Sequence, residues 1–109
     1  MGIDFSVVIP SHNRIEELIL TLTSFELQTY DHSRFEVVVI NDGSTDHTDQ
    51  LLKNYRPSYP FIYKTIRSTR GRCHARNVGI ELARGTYIIF CDLDFLVTPD
   101  FVETHAKYH

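Results

Sequence analysis

Asp92 and Asp94 stand one residue apart at the end of the apolar run Tyr87-Ile88-Ile89-Phe90-Cys91. A run of that kind is a buried strand, and buried strands take paired acids only at a tip that reaches solvent. Two carboxylates there suit a hard divalent cation, which binds oxygen and often shares its sphere with substrate phosphates. One acid would ligate the metal, and the other the metal or a ribose hydroxyl. The plainer reading is turn or helix capping, ordinary work for Asp after a strand.

Three more polar clusters follow apolar runs. Ser11-His12-Asn13-Arg14 follows Phe5–Pro10, and Asn41-Asp42-Gly43-Ser44-Thr45-Asp46 follows Phe35–Ile40. Asp42 could accept hydrogen bonds from a base or ribose; equally, Asn-Asp-Gly-Ser is turn chemistry, with Ser44 or Thr45 free to cap the next helix. The basic loop 67–72 and the residues after it hold Arg67, Arg70, Arg72 and Arg76 beside a helix N-terminus. Guanidiniums clamp phosphates bidentately, and a helix end adds partial positive charge. A solvated basic loop is the alternative, and the better one for Arg67.

Other chemistries find no footing. The chain has no G-x-x-x-x-G-K-S/T loop, no G-x-G-x-x-G after its first strand and no G-x-S-x-G elbow. Its six histidines read as surface or loop residues, His12 alone lying beside a candidate binding loop. Cys73 and Cys91 have neither metal nor redox spacing, which fits a cytosolic chain. A net charge of -3 offers no footprint for nucleic acid or an anionic membrane. No apolar run approaches the ~20 residues of a membrane span, and no signal peptide is expected before Phe5.

The elements that must position these clusters alternate. The β-branched runs Phe5–Pro10 and Phe35–Ile40 read as buried strands, Phe61–Ile66 as a less buried one, and Thr86–Cys91 as the fourth. Between them, Ile15, Leu18, Ile19, Leu22 and Phe25 mark a helix to about Gln28. Leu51, Leu52 and Tyr55 mark a shorter one, and Ala75, Val78, Gly79 and Leu82 a third that Gly85 should end from just past its C-terminus. Thr98 and Pro99 should open a last helix as N-cap and first residue. The order βαβαβαβα calls for an α/β, Rossmann-like parallel sheet with helices on both faces. All four polar clusters then gather at the carboxyl ends of the strands, where such sheets bind ligands.

In order and spacing, these motifs resemble the family 2 inverting glycosyltransferases of GT-A fold. The residues that carry the likeness are Val7–Arg14, Val38–Asp46, Ala75–Ile80, Gly85–Ile88 and Asp92–Asp94. The resemblance implies a nucleotide-diphosphate-sugar donor, a UDP-sugar foremost, and a Mn2+ or Mg2+ ion on its phosphates. By match, Pro10, Ser11 and Asn13 lie against base and ribose with Arg14 close by, and Asp42 reads the base edge. Arg70, Arg72 and Arg76 line the nucleotide, Asp92 faces ribose or metal, and Asp94 ligates the metal. Asn41 departs from the Asp that many members carry before Asp42.

The resemblance further implies that residues 1–109 are the nucleotide-sugar-binding half of a GT-A domain, truncated at its C-terminus. The general base, acceptor site and sugar specificity are then expected beyond His109, and the isolated chain should transfer sugar weakly or not at all. Acceptor sugar, lipid or polysaccharide stays open. A cytoplasmic location is expected, with the inner face of the membrane reached through other parts or partners. An open sheet edge would allow a homodimer. Two rivals remain: a non-catalytic nucleotide- or partner-binding module of the same fold, and a haloacid-dehalogenase-type phosphatase, which Phe90–Asp94 also resembles. The phosphatase expects Gly-Thr where Phe95-Leu96 stand.

Overall fold

In a computed structural model of the chain, residues 2–93 and 97–108 are described. Four strands alternate with four helices: β1 (Phe5–Ser11), α1 (Ile15–Glu26), β2 (Phe35–Asp42), α2 (Thr48–Asn54), β3 (Phe61–Ile66), α3 (Arg72–Leu82), β4 (Tyr87–Phe90) and α4 (Phe101–Lys107). The strands form one parallel sheet in the order β3-β2-β1-β4. Phe5 pairs with Phe35 on one side and Tyr87 on the other, so β1 and β2 occupy the centre. The chain builds outward from β1 to β3 and then returns to the far side of β1. The direction therefore reverses between β1 and β4, which makes that gap the topological switch point.

The period of two in a strand sorts side chains between two cores. Phe5, Val7, Ile9, Phe35, Val37 and Val39 face α1, α2 and α4, while Val8, Val38 and Ile40 face α3. Crossovers of a single hand require this division, because α3 accompanies the reversal and must cover the opposite face. The first core is aromatic: Phe35 stacks on Tyr59 at 5.5 Å, and Phe25 meets Phe101 edge-on at 6.0 Å. Burying a side chain of that size contributes about 2–3 kcal/mol. The Tyr59 hydroxyl donates to the Leu22 carbonyl at 2.9 Å, so the ring enters the core without an orphaned polar atom.

Several boundaries differ from the sequence expectations, each for a stated reason. In α1 the inward face is Leu18, Thr21, Leu22 and Phe25, with Ile19 43% exposed; the helix stops at Glu26 rather than Gln28. Gln28 is committed elsewhere. Its Nε2 donates to the Thr98 carbonyl at 2.7 Å and its Oε1 accepts from the Val102 N–H at 3.0 Å. With the Pro99 carbonyl also taken by the Thr29 N–H, α4 begins at Phe101 and not at Pro99.

Gly85 is not the residue that ends α3. The helix closes at Leu82, and Ala83 leaves it in an extended conformation. Gly85 instead allows close approach to β1: a Cβ there would lie 2.7 Å from the Ser6 nitrogen. Strand β4 proper is Tyr87–Phe90, shorter by one residue at each end than expected.

Candidate functional site

The carboxyl ends of β1, β2 and β4 and the loop before α3 enclose a cleft of about 330 Å3 at the switch point. Such volumes suit small ligands. From β1 and its loop come Pro10, Ser11, His12 and Arg14; from β2 comes Asp42. The loop before α3 and that helix's first residue give Thr69, Gly71 and Arg72, and the exit of β4 gives Asp92 and Leu93. Six of the residues named from sequence therefore line the cleft: Pro10, Ser11, Arg14, Asp42, Arg72 and Asp92.

Asn13 lies outside the wall and stitches two loops together. Its N–H donates to Ser44 Oγ at 2.9 Å, and its Oδ1 accepts from the Thr45 N–H at 2.7 Å. The geometry needs a positive φ of 52°, which Asn tolerates better than most residues. Ser44 and Thr45 are thus occupied by Asn13, and the capping work before α2 falls to Asp46. Its Oδ1 accepts both the hydroxyl and the N–H of Thr48. Burial pushes the Asp46 carboxyl up, but those bonds and one from the Ile15 amide outweigh it and hold it below the usual range.

Asp42 is nearly closed off, with 4% of its surface exposed. Its Oδ1 accepts from the Arg70 N–H at 2.9 Å and its Oδ2 from the Gly71 N–H at 3.0 Å. The amide pair ahead of α3 is therefore already capped by a carboxylate of the protein itself. Arg70 enters the site through this N–H. On the other side the Asp42 carbonyl accepts from His12 Nδ1–H at 2.7 Å; a carbonyl can only accept, so that nitrogen carries the proton. Gly43 completes the junction at φ 65°, where a Cβ would meet the Thr69 nitrogen at 2.6 Å.

Asp92 faces two guanidiniums. Arg76 approaches its Oδ1 at 3.2 Å and Arg72 its Oδ2 at 3.9 Å, while the Arg76 guanidinium also lies 5.3 Å over the Phe90 ring. Next to it the buried Cys91 thiol is pushed up to about 11, first by desolvation and then by the Asp92 charge. Ser11 is 3% exposed, and its Oγ has no hydrogen-bond partner among the described residues. Asp94 lies outside the described residues, and so does its expected role as metal ligand.

Four cleft residues were given no binding role from sequence. His12 had a signal, its place in the loop after Pro10. Thr69 and Gly71 were hidden among arginines that draw attention by charge, and Leu93 reads only as the spacer between two acids.

A divalent cation fits the donor chemistry here without a protein cage. Among the described residues no three His, Cys, Asp or Glu side chains gather to hold one. Mg2+-like ions need only one or two carboxylates when substrate phosphates complete the sphere, and Asp92 is a carboxylate of that kind in the wall.

Fold and cleft together define a parallel α/β domain built to take a ligand at its switch point. The model of the glycosyl transferase family 2 matches residues 6–109, and the chain belongs to that family. It is 38% identical over 104 residues to an uncharacterized glycosyltransferase of Bacillus subtilis, YfnE, covering 95% of this chain and 26% of that protein. It is 30% identical to the poly(ribitol-phosphate) beta-N-acetylglucosaminyltransferase TarS of Staphylococcus aureus, covering 95% of this chain and 18% of the relative.

Among solved structures, TarS 1-349 in complex with UDP-GlcNAc superposes with a TM-score of 0.89 at 29% identity, over 97% of this chain and 31% of that one. The mannosyltransferase PcManGT of Pyrobaculum calidifontis, in complex with GDP-Man and Mn2+, gives 0.80 at 25% identity over 88% of this chain and 29% of that one. The chain thus spans 14–28% of the length of the first curated relatives it matches. The family match over residues 6–109 sets aside the phosphatase alternative. No helix among the described residues is long and apolar enough to cross a membrane.

Proposed function

We propose that the cleft takes a nucleotide-diphosphate sugar, foremost a UDP-sugar. The chain would be the donor-binding part of a glycosyltransferase that transfers the sugar to an acceptor hydroxyl with inversion. The observation that carries this reading is the meeting of Asp42, Ser11, Arg72 and Asp92 around one cleft at the switch point. TarS solved with UDP-GlcNAc, and PcManGT with GDP-Man and Mn2+, support it by likeness.

Each residue then has a task its surroundings allow. The Asp42 carboxylate offers about four acceptor sites, of which two amides use two, so a base N–H can take another. The unpartnered Ser11 hydroxyl would bond the base or ribose, with Pro10 beside it and Asn13 fixing the loop from behind. Arg14, Arg70, Arg72 and Arg76 supply the positive charge that a diphosphate requires. Phosphate oxygens would compete with Asp92 for Arg72 and Arg76, and guanidinium forks bind phosphate well. Asp92 would hold the ribose or, with Asp94, a Mn2+ or Mg2+ ion. Bound there, such an ion stabilises charge on the departing diphosphate.

Calorimetric titration with UDP, GDP and dTDP, with and without Mn2+, tests the reading. UDP should bind more tightly than the others, and Asp92→Asn should weaken the Mn2+-dependent part at least tenfold, the loss of one charged ligand. A folded chain that binds none of the three at millimolar concentration overturns the proposal.

A further inference from the structure

Residues 70–92 form a helix-and-strand hairpin: α3 runs away from the cleft, the chain bends at residues 83–86, and β4 returns to Asp92. Its open end is closed by the Arg76–Asp92 pair at 3.2 Å. Its bend is gripped by a group that no part of the cleft touches. Glu36, on β2 and wholly buried, accepts from the Arg84 N–H at 2.7 Å, from Arg84 Nε–H at 2.9 Å and from the Ser6 hydroxyl at 2.6 Å. Ser6 Oγ in turn accepts from the Gly85 N–H at 2.7 Å.

A buried carboxylate with three donors on it fixes geometry closely, because any slip leaves a charge or an amide without a partner. The helix between the two grips is a stiff lever. Arg76 lies six residues before the helix ends at Leu82, roughly 9 Å along its axis, and a slip of one residue at the bend would turn α3 by about 100°. The helix has no room to turn in this way, since Gly79 packs on the Val8 side chain and even a Cβ in its place would strike Val8 Cγ1.

We propose that Glu36, remote from the cleft, is a positioning residue for it. By holding the α3–β4 bend, Glu36 sets the register of helix against strand and so places Arg72 and Arg76 on Asp92. Only the binding arm of the following test rests on the donor-site reading.

Glu36→Gln keeps the shape of the side chain but turns an N–H2 group toward one of its present donors. Arg84 is more than half exposed, so Arg84→Ala removes the guanidinium contact without disturbing the core, and Arg84→Lys restores a cation. Residue-resolved hydrogen exchange on the ligand-free chain gives the first readout. Glu36→Gln should speed exchange roughly tenfold at residues 84–86 and also at Arg70, Gly71 and the first turn of α3, the scale of one charge-assisted hydrogen bond. Arg84→Ala should do the same to a smaller degree, and Arg84→Lys should reverse most of it.

UDP affinity gives the second readout. Glu36→Gln should weaken it roughly three- to tenfold, with a clearly smaller loss when Arg76→Ala is already present, because part of the effect runs through Arg76. Exchange changes confined to residues 83–86, or an equal loss of affinity in both backgrounds, would overturn the proposal. If Glu36→Gln does not fold, the Arg84 pair decides by the same criteria. If the unaltered chain does not bind UDP, hydrogen exchange alone gives the answer.

Discussion

Strand β2 carries a carboxylate at each end of its α3-facing side, Glu36 and Asp42, with Val38 and Ile40 between them. Both accept backbone N–H groups that flank α3: Asp42 those of Arg70 and Gly71 ahead of the helix, Glu36 that of Arg84 beyond it. The same residue class does the same thing at two ends of one strand. What differs is the cover. Glu36 is closed over by the bend, and its oxygens are used by Ser6 and Arg84. Asp42 opens onto the gap between β1 and β4, with acceptor capacity left over. A buried acid is thus closed over or open to the cleft according to which end of the strand it stands at.

Truncating both acids would test that contrast most forcefully. Glu36→Ala should lower stability by about 3 kcal/mol, since the Ser6 hydroxyl and the Arg84 N–H lose their acceptor in a closed space. Asp42→Ala should cost about 1 kcal/mol, the scale of a lost helix cap, and should cut UDP binding more than stability. Urea titration measures the first quantity and calorimetry the second. Equal stability losses would erase the distinction between the two ends.

Gly79→Ala sharpens the comparison from the middle of the lever. The new methyl would strike Val8 and should cost about 1–3 kcal/mol by overpacking. It should also weaken UDP binding by pushing α3, and Arg76 with it, off the sheet. A variant as stable as the parent with unchanged affinity would show that α3 is seated less firmly than its two grips suggest.

The smallest effect is in pH dependence, and it belongs to the cleft end. Folded Cys91 titrates near 11 against an ordinary thiol value of 9.0. A folded value above the unfolded one means a stabilising contribution that is full below pH 9 and is lost as pH rises towards 11. Cys91→Ala should flatten that part of the alkaline slope. Burial also raises Tyr59, so a further slope above pH 10 should survive the substitution. An unchanged slope between pH 9 and 11 in Cys91→Ala would contradict the assignment.

The frame was legible because continuous Val and Ile runs ending in polar clusters have few meanings in an α/β chain. Phe35–Ile40 could hardly be anything but a central strand, and Asp42 then had to stand at its tip. What the sequence does not display is which polar group engages which. Asn13 reads as a ligand-facing amide until Thr45 and Asp46 are seen to donate to it. Gly85 reads as a helix terminator, since nothing local reveals that β1 lies against it. Glu36 did carry a signal that went unused: an acid inside an otherwise apolar strand must find partners, and its partners lie 30 and 48 residues away.

The return of the chain to the far side of β1 also sets a timetable. Ser6 is made before the rest of the sheet, yet the bond it accepts comes from Gly85, 79 residues later. At a synthesis rate of about 5–20 residues per second, that interval is roughly 4–16 s. Through it, the outer edge of β1 has no strand to pair with, and the apolar face that α3 will cover is bare. The strand at the centre of the finished sheet is begun first and completed last. A nascent chain is therefore most exposed to wrong pairing along the edge that ends beside the cleft.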